Sequence, residues 1–219
     1  MYNKSTGYVS KYIYCRTGRH TQFSARTSAN IIIQAYRNVC LFFSSKGGDI
    51  MDYPVAKTGI TLAEMPNYIS FYIQLANCNI KCEGCHSKYL WKKIARTDIE
   101  CIIESVKKAK EQGADMCIIF GDINNDITEN DFVFLLKEIH KYLPICVYSG
   151  APNSLRALGS MTNIGLIDYI KLGSYIDRCG GLNKRTTNQR MYKVDSGELV
   201  DITGKLFWKE EGDSLCSHD

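Results

Sequence analysis

The sequence has no long uninterrupted hydrophobic run. Its most apolar early stretch, Ile31 to Phe43, is broken by Gln34, Arg37 and Asn38. A secretory signal needs a continuous apolar core, and a membrane-spanning helix needs about 20 mostly apolar residues. Neither is predicted, and a cytoplasmic protein without a membrane partner is expected. Solenoid-type internal repeats are also missing. Acidic residues are almost absent from the first fifty positions, where Asp49 stands against seven basic residues, a balance of +6. Residues 51–219 hold 20 basic and 22 acidic residues, a balance of −2. The whole-chain charge of +4 therefore belongs to the first segment. It gives no ground for a nucleic-acid partner of the rest.

The chain has 219 residues, 45% hydrophobic and 23% charged, ordinary values that exclude collagen-like and wholly disordered classes. Its ten cysteines are many. In a reducing compartment, clustered cysteines bind metal more often than they pair. Residues 1–50 are rich in Ser, Thr, Tyr and Arg and show no sustained period. They read as a targeting segment, as a disordered basic arm, or as a mis-called upstream extension. The third reading comes from back-translation. Lys46-Gly47-Gly48-Asp49 can be encoded as a ribosome-binding sequence, with Met51 two codons later. The expected organisation is a basic extension over 1–50 and one packed domain over 51–219.

From Met51 the pattern becomes regular. Ile69–Ala76 is rich in β-formers and leads straight into Asn77-Cys78. Thr97-Asp98-Ile99-Glu100 predicts a capping box with Thr97 as N-cap. Ile99, Ile102, Ile103 and Val106 then recur at helical spacing up to about Gly113. Met116–Phe120 predicts a buried strand. Thr128 predicts a second helix start, with Phe132, Leu135, Leu136 and Ile139 on one face and Pro144 beyond its end. Ile145–Tyr148 and Tyr169–Leu172 predict further strands, with a short helix near 153–158 between them. Asp195-Ser196-Gly197 predicts a C-terminal hairpin. Strands alternating with helices predict an α/β fold with parallel strands.

The most informative stretch is Cys78-Asn-Ile-Lys-Cys82-Glu-Gly-Cys85-His86, a C-x3-C-x2-C pattern directly after a strand. Three thiolates within eight residues can wrap one metal centre. Four-iron clusters are normally held by four cysteine thiolates. Three would leave one iron open to a substrate or cofactor. Two other readings exist. Cys78, Cys82, Cys85 and His86 could form a structural zinc site, although adjacent Cys85 and His86 cannot easily both be tetrahedral ligands. Cys82 and Cys85 could form a dithiol redox pair. Cys101, Cys117 and Cys146 fall in elements that read as core.

The C-x3-C-x2-C pattern after a strand resembles the signature of radical S-adenosylmethionine enzymes. The closer resemblance is to the activating proteins of anaerobic ribonucleoside-triphosphate reductases. It rests on Cys82-Glu-Gly-Cys85-His86-Ser87 with Trp91, on Tyr148-Ser149-Gly150, on Asp168-Tyr-Ile-Lys171-Leu-Gly173, and on the Gly180-Gly181-Leu182 to Thr187-Asn188-Gln189-Arg190 segment. It covers roughly Tyr53 to Trp208.

The resemblance implies a partial open (βα) barrel with the cluster at the strand C-terminal ends. It implies a 4Fe-4S cluster on Cys78, Cys82 and Cys85, and S-adenosyl-L-methionine as second cofactor. Reductive cleavage of that cofactor would give a 5′-deoxyadenosyl radical, which would form the glycyl radical of the reductase's large subunit. No protein acid or base is then required. Gly121 and Asp122 match the family segment that meets the cofactor's amino group, with Phe120 replacing a glycine. Lys171 is the candidate for its carboxylate, and Ser149 lies at a ligand-binding strand end. Asn188, Gln189 and Arg190 would contact the cofactor or the glycine loop. His86 and Trp91 would pack around the cluster loop. The implied partners are the large reductase subunit and a small electron donor of flavodoxin or ferredoxin type. An activase of another glycyl-radical enzyme, such as a formate-lyase, shares this chemistry. A non-catalytic zinc or iron–sulfur module is the alternative of a different class.

Overall fold

The computed structural model describes residues 51–121, 126–150, 159–160 and 165–208. Residues 1–50 and the predicted helix near 153–158 lie outside them. A seven-stranded mixed sheet organises the rest. Its order is β2 (Val55–Thr61), β3 (Ser70–Leu75), β5 (Met116–Phe120), β6 (Ile145–Ser149), β7 (Tyr169–Leu172), β8 (Arg190–Asp195) and β9 (Glu198–Asp201). The four central strands, β3, β5, β6 and β7, are parallel and lie in sequence order. Antiparallel β2 closes one edge, and the β8–β9 hairpin closes the other. The fold is therefore mixed α/β. Parallel strands and a C-terminal hairpin are present as expected, but the sheet is mixed.

Period-two alternation sorts the strand side chains onto two faces. Phe71, Ile73, Leu75, Cys117, Ile119, Ile145, Val147 and Ile170 share one core. Two helices pack on it: α1 (Ile99–Glu111) through Ile102 and Val106, and α2 (Glu129–His140) through Phe132, Leu135, Leu136 and Ile139. Parallel neighbours need crossover connections, and crossovers of one hand place successive helices on one face. The four inward residues of α2 are fully buried. Each such side chain is worth about 1.5–3 kcal/mol relative to exposure. The opposite face is aromatic, with Met116, Ile118, Cys146, Tyr148 and Met191 packed beside Tyr72, Phe120 and Tyr169.

Several sequence expectations shift here. The strand before the cysteines, β3, is the first of the parallel series, and an antiparallel edge strand, β2, which the sequence pattern does not signal, precedes it. Gly59 and three exposed positions on β2, Lys57, Thr58 and Ile60, hide its strand pattern. Thr97 is not the N-cap of α1. It pairs with Tyr53 in a two-residue bridge, β1 (Asp52–Tyr53) against β4 (Thr97–Asp98), and Asp98 takes the cap position. Asp98 makes no side-chain cap bond. Instead the Ile99 N–H donates to the Met51 carbonyl at 3.0 Å, so tertiary pairing satisfies a helix-end donor. Thr128 does cap α2, accepting from the Asp131 N–H at 3.1 Å. Cys117 and Cys146 are buried, whereas Cys101 is only half-buried on α1. Among the described residues, no helix is long and apolar enough to cross a membrane.

Candidate functional site

A cavity of about 290 Å³ opens at the C-terminal ends of the parallel strands. In open α/β sheets, ligands bind outside those strand ends. Cys78, Cys82 and Cys85 form one wall, facing Gly121, Ser149 and Lys171 from the ends of β5, β6 and β7. All six expected site residues that the structure describes thus converge: Cys78, Cys82, Cys85, Gly121, Ser149 and Lys171. The remaining expected residue, Asp122, lies outside the described residues.

The cysteine wall is a loop clamped at its base. The Asn77 N–H donates to the Lys92 carbonyl at 3.1 Å, and the Cys78 N–H to the Leu90 carbonyl at 2.8 Å. Lys81 and Gly84 take φ of +50 and +72, so the chain doubles back between the thiols. The Cys85 N–H reaches the Cys82 carbonyl at 3.2 Å. Gly84 has no room for a side chain, because a Cβ there would lie 2.8 Å from the Asp177 Cβ. His86 packs its ring 5.5 Å from Tyr175. Trp91 ends the short 3-10 turn Lys88–Trp91, with the Lys88 ammonium 5.9 Å from its ring.

Gly121 makes the opposite wall possible. Its φ is +114, and a Cβ there would lie 2.6 Å from the Leu75 carbonyl oxygen. The backbone path at this point is set by Gly121. Phe120 turns onto the aromatic face, its ring edge-on to Tyr148 at 4.8 Å. The Tyr148 hydroxyl donates to the Glu64 backbone carbonyl at 2.7 Å and fixes the β2–β3 loop over the cavity.

Two opposite charges line the cavity. The Lys171 ammonium lies 4.8 Å from the Tyr148 ring centre, a favourable cation–π placement. Burial pushes its pKa below the ordinary lysine value, while Glu64, Cys146 and Cys82 pull it back up. Burial pushes the Glu64 carboxyl up, and Lys171 opposes that shift. Glu64 carried no sequence signal, since it lies in a loop with no periodicity to assign it a face.

Asn188, Gln189 and Arg190 are engaged with the protein's own backbone. The Asn188 amide donates to Ser174 O at 2.8 Å, and the Gln189 amide to Gly173 O at 3.0 Å. Arg190 donates to Thr187 O at 2.8 Å and faces Asp201 at 3.6 Å. Gln189 also lines the cavity. The segment therefore pins the loop after β7 against the thiol wall.

Among the described residues, no group of three or more His, Cys, Asp or Glu is arranged to hold a metal ion. A cluster places its irons and sulfides between its ligands, so those ligands line a space rather than meet at a point. Three thiols on one wall of one cavity are a donor set that suits an iron–sulfur cluster. Compared with known proteins, the chain matches no family model, no curated protein and no solved structure.

Proposed function

We propose that the chain is a radical S-adenosylmethionine activase that forms the glycyl radical of an anaerobic ribonucleoside-triphosphate reductase. The observation that carries this reading is the convergence of three C-x3-C-x2-C thiols and a half-buried lysine in one cavity at parallel strand ends. The sequential order of β3, β5, β6 and β7, with helices on one face, supports a partial open (βα) barrel.

When bound, a four-iron cluster and S-adenosylmethionine supply a one-electron cleavage of the sulfonium, which yields methionine and a 5′-deoxyadenosyl radical. This chain's residues bind, orient and shield. Cys78, Cys82 and Cys85 would hold the cluster and leave one iron without a protein ligand. Lys171 would hold the cofactor carboxylate through a charge-assisted hydrogen bond, stronger in a site of low dielectric. Gly121 keeps side-chain bulk away from the strand end. Ser149 offers a hydroxyl at the neighbouring strand end. Phe120 and Tyr148 exclude water from the reacting centre. The large reductase subunit would present its glycine to the cavity. A small electron donor of flavodoxin or ferredoxin type would supply the electron, and the reaction would take place in the cytoplasm.

Anaerobic reconstitution tests the reading. It expects about four iron and four sulfide per chain, with the absorbance lost in Cys78→Ala. It also expects cofactor cleavage after reduction, and a glycyl radical by electron paramagnetic resonance when a candidate reductase is added. Stoichiometric zinc with no cleavage would overturn it and favour a structural metal module.

A further inference from the structure

The thiol loop leaves the sheet at Asn77 and returns at residues 90–93, where the Asn77 and Cys78 N–H groups bond to the carbonyls of Lys92 and Leu90. One carboxylate outside the cavity lining grips both ends of this loop. The Asn77 side-chain amide donates to Asp126 Oδ2 at 2.6 Å. The Lys93 ammonium lies 3.4 Å from the same oxygen. Arg96, just beyond, donates to the Asp126 backbone carbonyl at 3.5 Å and pairs with Asp52. Asn77 and Asp126 both hold left-handed backbone, with φ of +61 and +66. Few residues other than glycine take that conformation, and Asn and Asp enter it most readily. Asp126 is anchored in turn. It stands just before Thr128, the N-cap of α2, whose apolar stripe is fully buried. The Asp126 and Lys93 side chains are 54% and 79% exposed. Ion pairs so exposed add little to the stability of a fold. Position is what distinguishes this contact, because Asn77 directly precedes Cys78 and sets the direction in which the chain enters the thiol loop.

We propose that Asn77 and Asp126 form a clasp that positions the thiol wall for metal ligation. They are positioning residues, since neither lines the cavity. The inference rests on the three thiols being metal ligands, as in the function proposed above, and it adds two residues to that site. A loop that keeps its shape without metal has less conformational entropy to lose when metal binds. Groups that hold ligands in place from behind typically weigh about tenfold to a hundredfold in metal affinity. The amide-to-carboxylate bond carries the clasp, because the exposed Lys93 ammonium is largely screened by water. The clasp also ties the cavity's two walls together. Asp126 lies on the connection from β5 to α2, and that connection starts at Gly121, opposite the thiols. A shift of the thiol loop is therefore felt at the start of α2.

The test uses the full chain, reconstituted anaerobically with iron and sulfide and, separately, loaded with zinc. Asn77→Gly and Asp126→Gly each remove one half of the clasp and keep a residue at ease with positive φ. Each should speed the loss of bound metal to excess chelator by about tenfold or more. The double variant should lose metal within about twofold of either single one, because all three lack the same interaction. Asp126→Asn keeps an acceptor oxygen and should stay within about threefold of wild type. Without metal, all these variants should melt within about 4 °C of wild type, as an exposed contact requires. A larger fall in metal-free melting would make the contact a general support of the fold and overturn the clasp. Unchanged metal loss in Asp126→Gly would also overturn it. So would additive effects of the two glycine substitutions, or Asp126→Asn releasing metal as fast as Asp126→Gly. A reconstituted chain that cleaves no S-adenosylmethionine sinks the proposed function, while the clasp stands if metal retention still follows this pattern. A wild-type chain that holds neither iron nor zinc sinks both.

Discussion

Gly121→Ala is the substitution whose cost can be worked out most directly. The residue has φ +114, and its added Cβ would lie 2.6 Å from the Leu75 carbonyl oxygen and 3.1 Å from the Leu75 Cβ. Two separate penalties arise. A side chain in that region of backbone space costs about 1–3 kcal/mol. Overlap with a backbone carbonyl that cannot rotate away adds about 1–3 kcal/mol, the usual range for overpacking. Gly113, just past α1, provides the control. Its φ is +96, and a Cβ there would meet nothing within 4 Å. Gly113→Ala therefore carries strain alone. Urea unfolding of both variants separates the two terms. Gly121→Ala should lose at least about 1 kcal/mol more than Gly113→Ala, with an unchanged dependence on denaturant. Equal losses would refute the close approach of the β3 and β5 ends. That wall of the cavity would then have no structural reason to be glycine.

Two further outcomes are expected. Thr128→Ala removes the acceptor for the Asp131 N–H and should cost about 0.5–2 kcal/mol by urea unfolding; a loss below about 0.3 kcal/mol would mean the cap is already redundant. Burial holds the Lys171 pKa below its unfolded value, so the unfolded chain binds this proton more tightly than the folded one. Stability from this group then rises with pH as the ordinary lysine value is approached from below. Lys171→Met lacks that rise. The stability of wild type relative to Lys171→Met should rise from about pH 7 towards pH 10, and a constant or falling relative stability would refute the lowered lysine pKa.

Legibility followed the strength of local pattern. α2 was readable because a capping threonine, a 3.6-residue apolar stripe and a following proline all agreed. The central strands were readable because their apolar runs are short and rich in β-branched residues. Thr97 misled because its capping-box sequence is real but its backbone is used in a bridge to Tyr53. Long-range pairing overrode a local preference of about 1 kcal/mol. β2 was missed because an edge strand with exposed positions lacks the alternation of a half-buried one. At the site, the three cysteines and Lys171 were visible as spacing and as a strand end. Glu64 was not, because contacts far apart in sequence, among them the Tyr148 hydroxyl bond, hold its loop over the cavity. The role of the Asn188–Arg190 segment was also hidden, since its amides bond to backbone far away in sequence.

The lining of the cavity runs from Glu64 to Gln189 and draws on the ends of several strands. No short fragment of the chain contains it. The chain must close long loops and register the parallel strands before the first complete ligand contact exists. A ligand that fits this cavity thus binds only the finished sheet and has little to hold on the unfolded chain. At a hundred times its dissociation constant it would add about 2.7 kcal/mol to the stability of the native state. Occupancy and melting are two readings of one equilibrium here, so a thermal shift on adding ligand measures the whole sheet at once.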